Sequence, residues 1–155
     1  MKNLNQPSVM QANIRLNSDN CLFVSGEIYS NGVSLFGTEV TLYENGIESQ
    51  KFICCLNGFF YFRMDYEKTY LIKVEKYGCV SKTIEFDNHL FGHSTKRRYY
   101  EFGVNLSRAL SEFPNDNSGL PAAKIRYSQK YDIFEHDDEY SKLRLNFDKN
   151  SNTAA

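Results

Sequence analysis

Two apolar runs flank an Asn-Gly pair in Lys51-Phe-Ile-Cys-Cys-Leu-Asn-Gly-Phe-Phe-Tyr-Phe-Arg-Met64. Asn-Gly is the pair most typical of a type I′ turn, because both central residues of that turn need a positive φ. A two-residue turn at Asn57-Gly58 would join the two runs into a hairpin whose register places Ile53 opposite Phe62. The stretch therefore predicts a β-hairpin in the middle of the chain.

Alternation of side chains gives this hairpin two faces. One face carries Ile53, Cys55, Phe60, Phe62 and Met64. The other carries Phe52, Cys54, Leu56, Phe59, Tyr61 and Arg63. Both faces are apolar near the turn, unlike those of a hairpin with one solvated side. We therefore predict a covered or interacting surface on the second face, and we name it the 52–61 surface: Phe52, Leu56, Phe59 and Tyr61.

The strand pattern extends to both sides of this hairpin. Short segments with period-2 alternation, separated by turn residues, are typical of a sandwich. They are Cys21–Tyr29, Glu39–Tyr43, Tyr70–Tyr77, Val80–Phe86 and Tyr99–Leu106. The predicted class is mainly β, a seven-stranded Ig-like β-sandwich. Its predicted core consists of Val24, Val40, Leu42, Ile53, Phe60, Phe62, Ile72, Val74, Ile84, Phe102 and Val104.

Composition divides the chain into five predicted parts. These are a flexible arm at 1–19, the sandwich at 20–107, a linker at 108–120, an extension at 121–147 and a disordered tail at 148–155. Within the extension, Tyr140, Leu143 and Phe147 have helical spacing, which predicts a short helix over Glu135–Phe147. We expect Ala122–Phe147 to fold back over the 52–61 surface, because so large an aromatic patch is unusual on a monomer.

Overall composition excludes several classes of protein. The 155 residues carry a net charge of -1, which lacks the basic excess of a nucleic-acid binder. No apolar run is long enough to span a membrane. The N-terminal residues lack the apolar core of a secretory signal. The four cysteines contain no C-x-x-C pair, so zinc is not expected, and they are read as free thiols, although a Cys21–Cys79 disulfide stays open.

No set of residues assembles into a recognisable catalytic site. His89 and His93 have the i, i+4 spacing of metal ligands, but Gly92 between them favours a loop, so no metal is predicted. The acidic run Glu135–Glu139 is better explained as the first turn of a helix than as a cation site. Lys96-Arg97-Arg98 is expected to be a solvated loop end. We therefore expect no catalytic residues, no metal and no cofactor.

The strand motifs resemble a known family. Gly26, Val40-Thr-Leu-Tyr43, Asn57-Gly-Phe-Phe-Tyr-Phe62 and Tyr70-Leu-Ile-Lys-Val-Glu-Lys-Tyr-Gly78 are similar to the carboxypeptidase regulatory-like domain, a prealbumin-like, CnaB-type β-sandwich. Cys79 stands where that family usually has an aromatic residue. The pieces Pro121–Ile125 and Phe134–Tyr140 resemble an extension in envelope proteins of the Bacteroidetes type. The resemblance implies that Phe60 and Phe62 belong to the core.

The resemblance also implies a function and a location. Most members of the family are non-catalytic, so the expected function is a structural or binding module of the cell envelope that acts through a protein–protein surface. A carbohydrate-binding module with exposed Tyr and Phe is one alternative. A transthyretin-like hydrolase is another, although the chain lacks the Tyr-Arg-Gly-Ser tail of those enzymes. The family suggests the periplasm or envelope, whereas the absence of a visible signal suggests the cytoplasm.

Overall fold

A computed structural model of the chain describes residues 20–109 and 119–153. The predicted arm at 1–19 and most of the predicted linker at 108–120 lie outside these ranges. The strands are β1 Cys21–Ser30, β2 Val33–Ser34, β3 Glu39–Glu44, β4 Ile47–Ile53, β5 Phe59–Asp65, β6 Thr69–Glu75, β7 Lys82–Asp87, β8 Arg98–Asn105, β9 Ala123–Ser128 and β10 Ile133–His136. One helix, α1 Asp138–Thr153, follows them.

The strands form two sheets of unequal width. In the small sheet, β1 is central: β5 and the short β2 pair with one edge of it, and β8 pairs in parallel with the other. The large sheet has the order β10-β9-β7-β6-β3-β4. The predicted mainly β, sandwich-like class with a C-terminal helix is confirmed, and the described residues form ten strands where the pattern indicated seven.

The predicted hairpin at Asn57-Gly58 is wrong. Strand β4 pairs with β3 in the large sheet, and β5 pairs with β1 in the small sheet, so the two runs belong to different sheets. Gly58 has a positive φ of 69°, but Asn57 does not, and the Gly58 N–H donates to the Cys55 carbonyl. The turn therefore carries the chain from one sheet to the other.

Between the two sheets lies one hydrophobic core. It contains every predicted core residue except Ile53, which is 57% exposed, and Phe102, which is half-buried. Ile53 was placed in the core by the hairpin register, and that register does not form. On β5 the alternation is as predicted: Phe60, Phe62 and Met64 are buried, whereas Phe59 and Tyr61 are exposed.

The C-terminal extension joins the large sheet. Strand β9 pairs in parallel with β7, and β10 pairs with β9. The prediction that this segment covers the 52–61 surface is wrong, because it lies at the opposite edge of the sheet from β4. Helix α1 begins after Asp137, whose carboxylate accepts a hydrogen bond from the Tyr140 N–H as an N-cap. It begins later than predicted and extends to Thr153, into the segment predicted as a disordered tail.

All four cysteines lie in the described residues and are free thiols. Cys21, Cys54 and Cys79 are buried, and Cys55 is exposed. Burial raises the pKa of the Cys54 thiol to about 11. The open question of a Cys21–Cys79 disulfide is answered: the two thiols are not joined.

Among the residues that the structure describes, no helix combines the length and the apolar character needed to span a bilayer.

Candidate functional site

A cleft lies where the β1–β2 turn, the segment after β6 and the segment after β8 meet. Its volume is about 410 Å³. The lining residues are Ser30, Asn31, Val33, Leu35, Lys76, Tyr77, Gly78, Cys79 and Arg108.

Two turns and a short bridge form these walls. Asn31 and Gly32 both have a positive φ, which makes the β1–β2 connection a type I′ turn between Ser30 and Val33. On the opposite side, the Cys79 N–H donates to the Lys76 carbonyl and closes a turn. Cys79 and Arg108 are bridge partners, so the segment after β8 is held against this second turn.

The electrostatics of the cleft come from two cations. Lys76 and Arg108 line it, and none of the nine lining residues is acidic. Arg108 is exposed and makes no ion pair with any residue in the described part of the chain. The cleft therefore has positive charge in a chain whose net charge is -1.

Lys76 is held in a defined position at the cleft. Its Nζ donates to the Phe36 carbonyl at 2.7 Å and lies 5.2 Å from the centre of the Phe36 ring. An ammonium has three donors, so this hydrogen bond leaves two for a further acceptor. Positioning a long side chain in advance lowers the entropy lost on binding.

Apolar and polar groups share the remaining walls. Val33 and Tyr77 are exposed, Leu35 packs against the core, and the Cys79 thiol is buried. A few convergent polar groups in a mainly apolar concavity are the usual composition of a small-molecule site. The lining thus combines two cations with exposed apolar surface.

The sequence did not single out this cleft. Lys76 and Arg108 are far apart in sequence, and only the topology brings them together. One signal was present, because Gly32 and Gly78 both mark turns. Two turns at the same end of a sandwich can lie close enough to form a cleft. Nothing in the sequence says which end each turn occupies.

The 52–61 surface lies where β4 and β5 run side by side without a ladder. Gln50 Nε2 donates to the Arg63 carbonyl, and the rings of Phe52 and Tyr61 meet edge to face at 5.6 Å. Leu56 is 85% exposed and Tyr61 66% exposed. Its role as an interaction surface stays a prediction.

The prediction that Lys96–Arg98 is a solvated loop end is wrong for Arg98, whereas Lys96 and Arg97 are exposed. The Arg98 side chain is 7% exposed, and its Nη2 donates to Asp132 Oδ1 at 2.6 Å. Tyr127 donates its hydroxyl to the same oxygen, and Lys96 Nζ donates to Oδ2. These hydrogen bonds, from Lys96 first and then from Arg98 and Tyr127, lower the pKa of Asp132. Both carboxylate oxygens of Asp132 are therefore engaged, and the cluster ties the turn at Asp132 to the start of β8.

The histidines are separately engaged. His89 Nδ1 contacts Asp87 Oδ1 at 2.5 Å, and the His93 ring packs edge to face on Tyr127. Within residues 20–109 and 119–153, no group of three or more His, Cys, Asp or Glu side chains has the arrangement of a metal site. Of the run Glu135–Glu139, Asp138 and Glu139 lie in the first turn of α1 as predicted, whereas Glu135 and His136 belong to β10.

Known proteins resemble the chain only in structure. No family model matches it, and no curated protein matches it. Wild-type catechol 1,2-dioxygenase from Acinetobacter radioresistens is 10% identical, with a TM-score of 0.46 over 71% of this chain and 59% of that one. Catechol 1,2-dioxygenase from Pseudomonas arvilla C-1 is 12% identical, with a TM-score of 0.45 over 67% and 57%. The chain thus spans less than two thirds of the length of either enzyme.

These matches change the functional expectation. The sequence predicted a non-enzymatic structural or binding module of the cell envelope and no enzymatic activity, and both predictions are contradicted, because the matched structures are enzymes. At this identity and TM-score, the activity of those enzymes is not carried over to this chain.

Proposed function

We propose that this chain binds a small organic anion, a carboxylate or phosphate ester with an apolar body, in the cleft between Lys76 and Arg108. The observation that supports the proposal is the pair of cations in a concave site whose nine lining residues include no carboxylate. Hydrogen bonds from charged donors to a carboxylate or phosphate are about twice as strong as neutral ones.

The two cations would make different contacts with the anion. Arg108 has no ion pair among the described residues and presents a planar fork of donors, which matches two oxygens of one anion. Lys76 adds a point charge, and its ammonium is already positioned by the Phe36 carbonyl. Among residues 20–109 and 119–153, neither cation is paired with a carboxylate that it would have to leave in order to bind.

The apolar body would contact the other walls. Val33 and Tyr77 are exposed, so a ligand that covers them removes apolar surface from water. Burial of apolar surface is worth about 25 cal/mol per Å². An organic anion should therefore bind more tightly than an inorganic one of the same charge.

The test is a titration followed by NMR chemical shifts of the backbone amides. Phenyl phosphate is the organic probe and inorganic phosphate the reference. We expect phenyl phosphate to shift the amides of Asn31, Tyr77, Gly78 and Arg108 and to bind more tightly than phosphate. Loss of a charged hydrogen bond costs about 1.5–3 kcal/mol, so Arg108→Gln should weaken binding by about tenfold or more.

Arg126→Gln is the matched control. Arg126 is also an exposed arginine, but it lies on β9 and pairs with Asp137. It should leave the affinity unchanged. Equal loss in both variants, or shifts spread over the surface instead of the cleft, would contradict the proposal.

We also propose that the chain is a divergent relative of the carboxypeptidase regulatory-like domain. Gly26 of the motif supports this, because a Cβ there would lie 2.6 Å from the Phe60 ring. The motif phenylalanines Phe60 and Phe62 are both buried. The test is an experimental structure superposed on members of that family: a different strand order in the small sheet would contradict the relationship.

A further inference from the structure

The turn at 90–93, between β7 and β8, holds a bulky residue in a strained backbone conformation. Phe91 and Gly92 both have positive φ, 53° and 82°, and the His93 N–H donates to the Leu90 carbonyl at 3.0 Å. These are the features of a type I′ turn, whose central positions are usually Asn, Asp or Gly. Phenylalanine at positive φ is an outlier. Strain of this kind is retained mostly at functional positions, which points to a function for the Phe91 side chain.

The Phe91 ring is held out into solvent on a fixed base. Its side chain is 63% exposed, whereas its neighbour Leu90 is fully buried in the core. The Leu90 N–H also donates to Glu67 Oε1 at 3.0 Å, which fixes the loop against the β5–β6 turn. A Cβ added at Gly92 would meet no atom within 4 Å, so the space beside the ring is open. Packing within the described part of the chain therefore does not explain why this position carries an apolar ring.

A second exposed ring, that of Tyr131, lies at the same end of the sandwich. Strands β7 and β9 run parallel, so the segments that follow them leave the large sheet at one end. Two contacts join these segments. Lys96 Nζ donates to Asp132 Oδ2 at 2.8 Å, and the rings of His93 and Tyr127 meet edge to face at 5.4 Å. The two exposed rings therefore belong to one surface.

Basic side chains flank both rings. Residues 88–97 contain no Asp or Glu, and Lys96 and Arg97 are exposed. Beside the other ring, Lys130 Nζ lies 4.8 Å from the centre of Tyr131. We name the whole the 91–131 surface: Phe91, Lys96, Arg97, Lys130 and Tyr131.

The connections at this end of the sandwich are basic when taken together. The β7–β8 loop, 88–97, and the β9–β10 turn, 129–132, carry three Lys or Arg and one Asp. The other two turns that the strand register places at this end, 45–46 and 66–68, carry no net charge. The one Asp, Asp132, is already engaged by donors of the protein. The four connections thus have a surplus of positive charge in a chain whose net charge is -1.

Apolar rings at the tips of turns, with cations around them, are complementary to the surface of an anionic bilayer. Aromatic rings bury themselves at the boundary between headgroups and acyl chains, while Lys and Arg attract anionic headgroups. Tyrosine suits that boundary because one end of its ring is apolar and the other is wet. The rings project from two separate turns, a shape that a fluid lipid interface accommodates more easily than a folded partner does.

We propose that the 91–131 surface docks on an anionic lipid bilayer, with Phe91 and Tyr131 inserted at the level of the headgroups and the three cations beside anionic lipids. Loop 88–97 leads into the start of β8, whereas the cleft lies beyond the other end of that strand. The cleft would therefore face away from the bilayer, and the proposal does not depend on what the cleft binds.

A tryptophan reporter tests the contact directly, because the chain contains no Trp. Phe91→Trp places a single indole at the tip of the turn. With vesicles of phosphatidylcholine and phosphatidylserine, we expect its emission to shift to shorter wavelength and to be quenched by lipids brominated on their acyl chains. Vesicles of phosphatidylcholine alone should bind at least about tenfold more weakly, because they do not attract the cations.

Phe36→Trp is the matched control. Phe36 is 62% exposed, and Lys76 Nζ lies 5.2 Å from the centre of its ring, so it also presents an aromatic ring beside a cation. It stands next to the cleft, away from the 91–131 surface, and its emission should not change with either kind of vesicle. Equal shifts for the two indoles would indicate non-specific adsorption and overturn the proposal.

Phe91→Asn separates membrane binding from folding. It removes the ring and introduces a residue that tolerates positive φ, so the variant should unfold at the same temperature as the unmodified chain or at a higher one. In co-sedimentation with the anionic vesicles, it should bind about tenfold more weakly, because the inserted apolar area is lost. Binding equal to that of the unmodified chain would overturn the proposal.

A pair of lysine variants tests the contribution of charge. Lys130→Gln should weaken binding to the anionic vesicles about fivefold. Lys142→Gln removes an exposed charge on α1 and should leave binding unchanged. Equal losses in the two variants, or no binding of the unmodified chain to any of the vesicles, would overturn the proposal.

Discussion

The same dipeptide forms two different turns at Asn45-Gly46 and Asn57-Gly58. At the first, both residues have positive φ, and the flanking strands β3 and β4 pair with each other. At the second, only Gly58 has positive φ, and the flanking strands pair with different sheets. A turn signal specifies a hairpin only where the strands on both sides lack better partners.

Partner choice explains the difference. Strand β5 lies beside β1, where Phe60 and Phe62 enter the core, and the Ile28 N–H donates to the Gly58 carbonyl. Strand β4 instead completes the edge of the large sheet beside β3. The burial of two phenylalanines outweighs the local preference of Asn-Gly, because fully burying such a side chain is worth about 1.5–3 kcal/mol.

The largest predicted effect separates the two strands that flank Asn57-Gly58. Phe62→Ala should lower the free energy of unfolding by about 3–5 kcal/mol, because Phe62 is a buried core residue. Ile53→Ala should change it by no more than about 1 kcal/mol, because Ile53 is mostly exposed. Urea denaturation measures both. Similar losses at the two positions would restore the hairpin register.

The next effect compares the two glycines. Gly46→Ala meets no atom within 4 Å and should lose only the cost of a left-handed alanine, about 1–2 kcal/mol. Gly58→Ala carries the same cost and also places a Cβ 2.5 Å from the Ile28 carbonyl oxygen. Backbone strain of this kind should add at least about 1 kcal/mol. Thermal and urea unfolding of both variants would show which one loses more stability. Equal losses of unfolding free energy would mean that the β1 backbone at Ile28 shifts at no cost to make room for the new Cβ.

A smaller effect should appear at the asparagines. Asn45 has a φ of 51°, a conformation that asparagine tolerates better than alanine. Asn45→Ala should therefore destabilise the protein by about 1 kcal/mol. Asn57 lacks a positive φ, so Asn57→Ala should cost less than about 0.5 kcal/mol. If Asn57→Ala were the costlier change in urea titrations, the second turn would be type I′ after all.

The last prediction concerns a third turn, where side chains hold a non-glycine residue at positive φ. Asp132 has a φ of 55°, and its carboxylate accepts from Lys96, Arg98 and Tyr127. Its pKa is lowered from the ordinary 3.8, so the contribution to stability is present above pH 3.8 and is lost as the pH falls below it. Asp132→Asn should remove this part of the acid sensitivity. An unchanged difference in stability between pH 5 and pH 3 would contradict it.

The sequence predicted local strand geometry well but did not show which strands pair with one another. Period-2 alternation identified the buried face of β5 and most of the core, because side-chain direction in a strand depends only on position. It could not show that β4 and β5 belong to different sheets, since that depends on burial summed over distant residues. The cleft was missed for the same reason: Lys76 and Arg108 line one cleft only because Cys79 pairs with Arg108. The extension was predicted to cover the wrong face, because an apolar patch indicates that something covers it but not which segment does so.

The neighbouring thiols Cys54 and Cys55 give the molecule one chemically addressable point. The thiolate is the reactive form of cysteine, and burial holds the pKa of Cys54 near 11, whereas Cys55 is exposed. A maleimide fluorophore or a spin label should therefore attach at Cys55 alone in the folded chain, without removal of any native cysteine. Such a reporter would stand at the crossing between the two sheets, where separation of the sheets during unfolding could be followed directly.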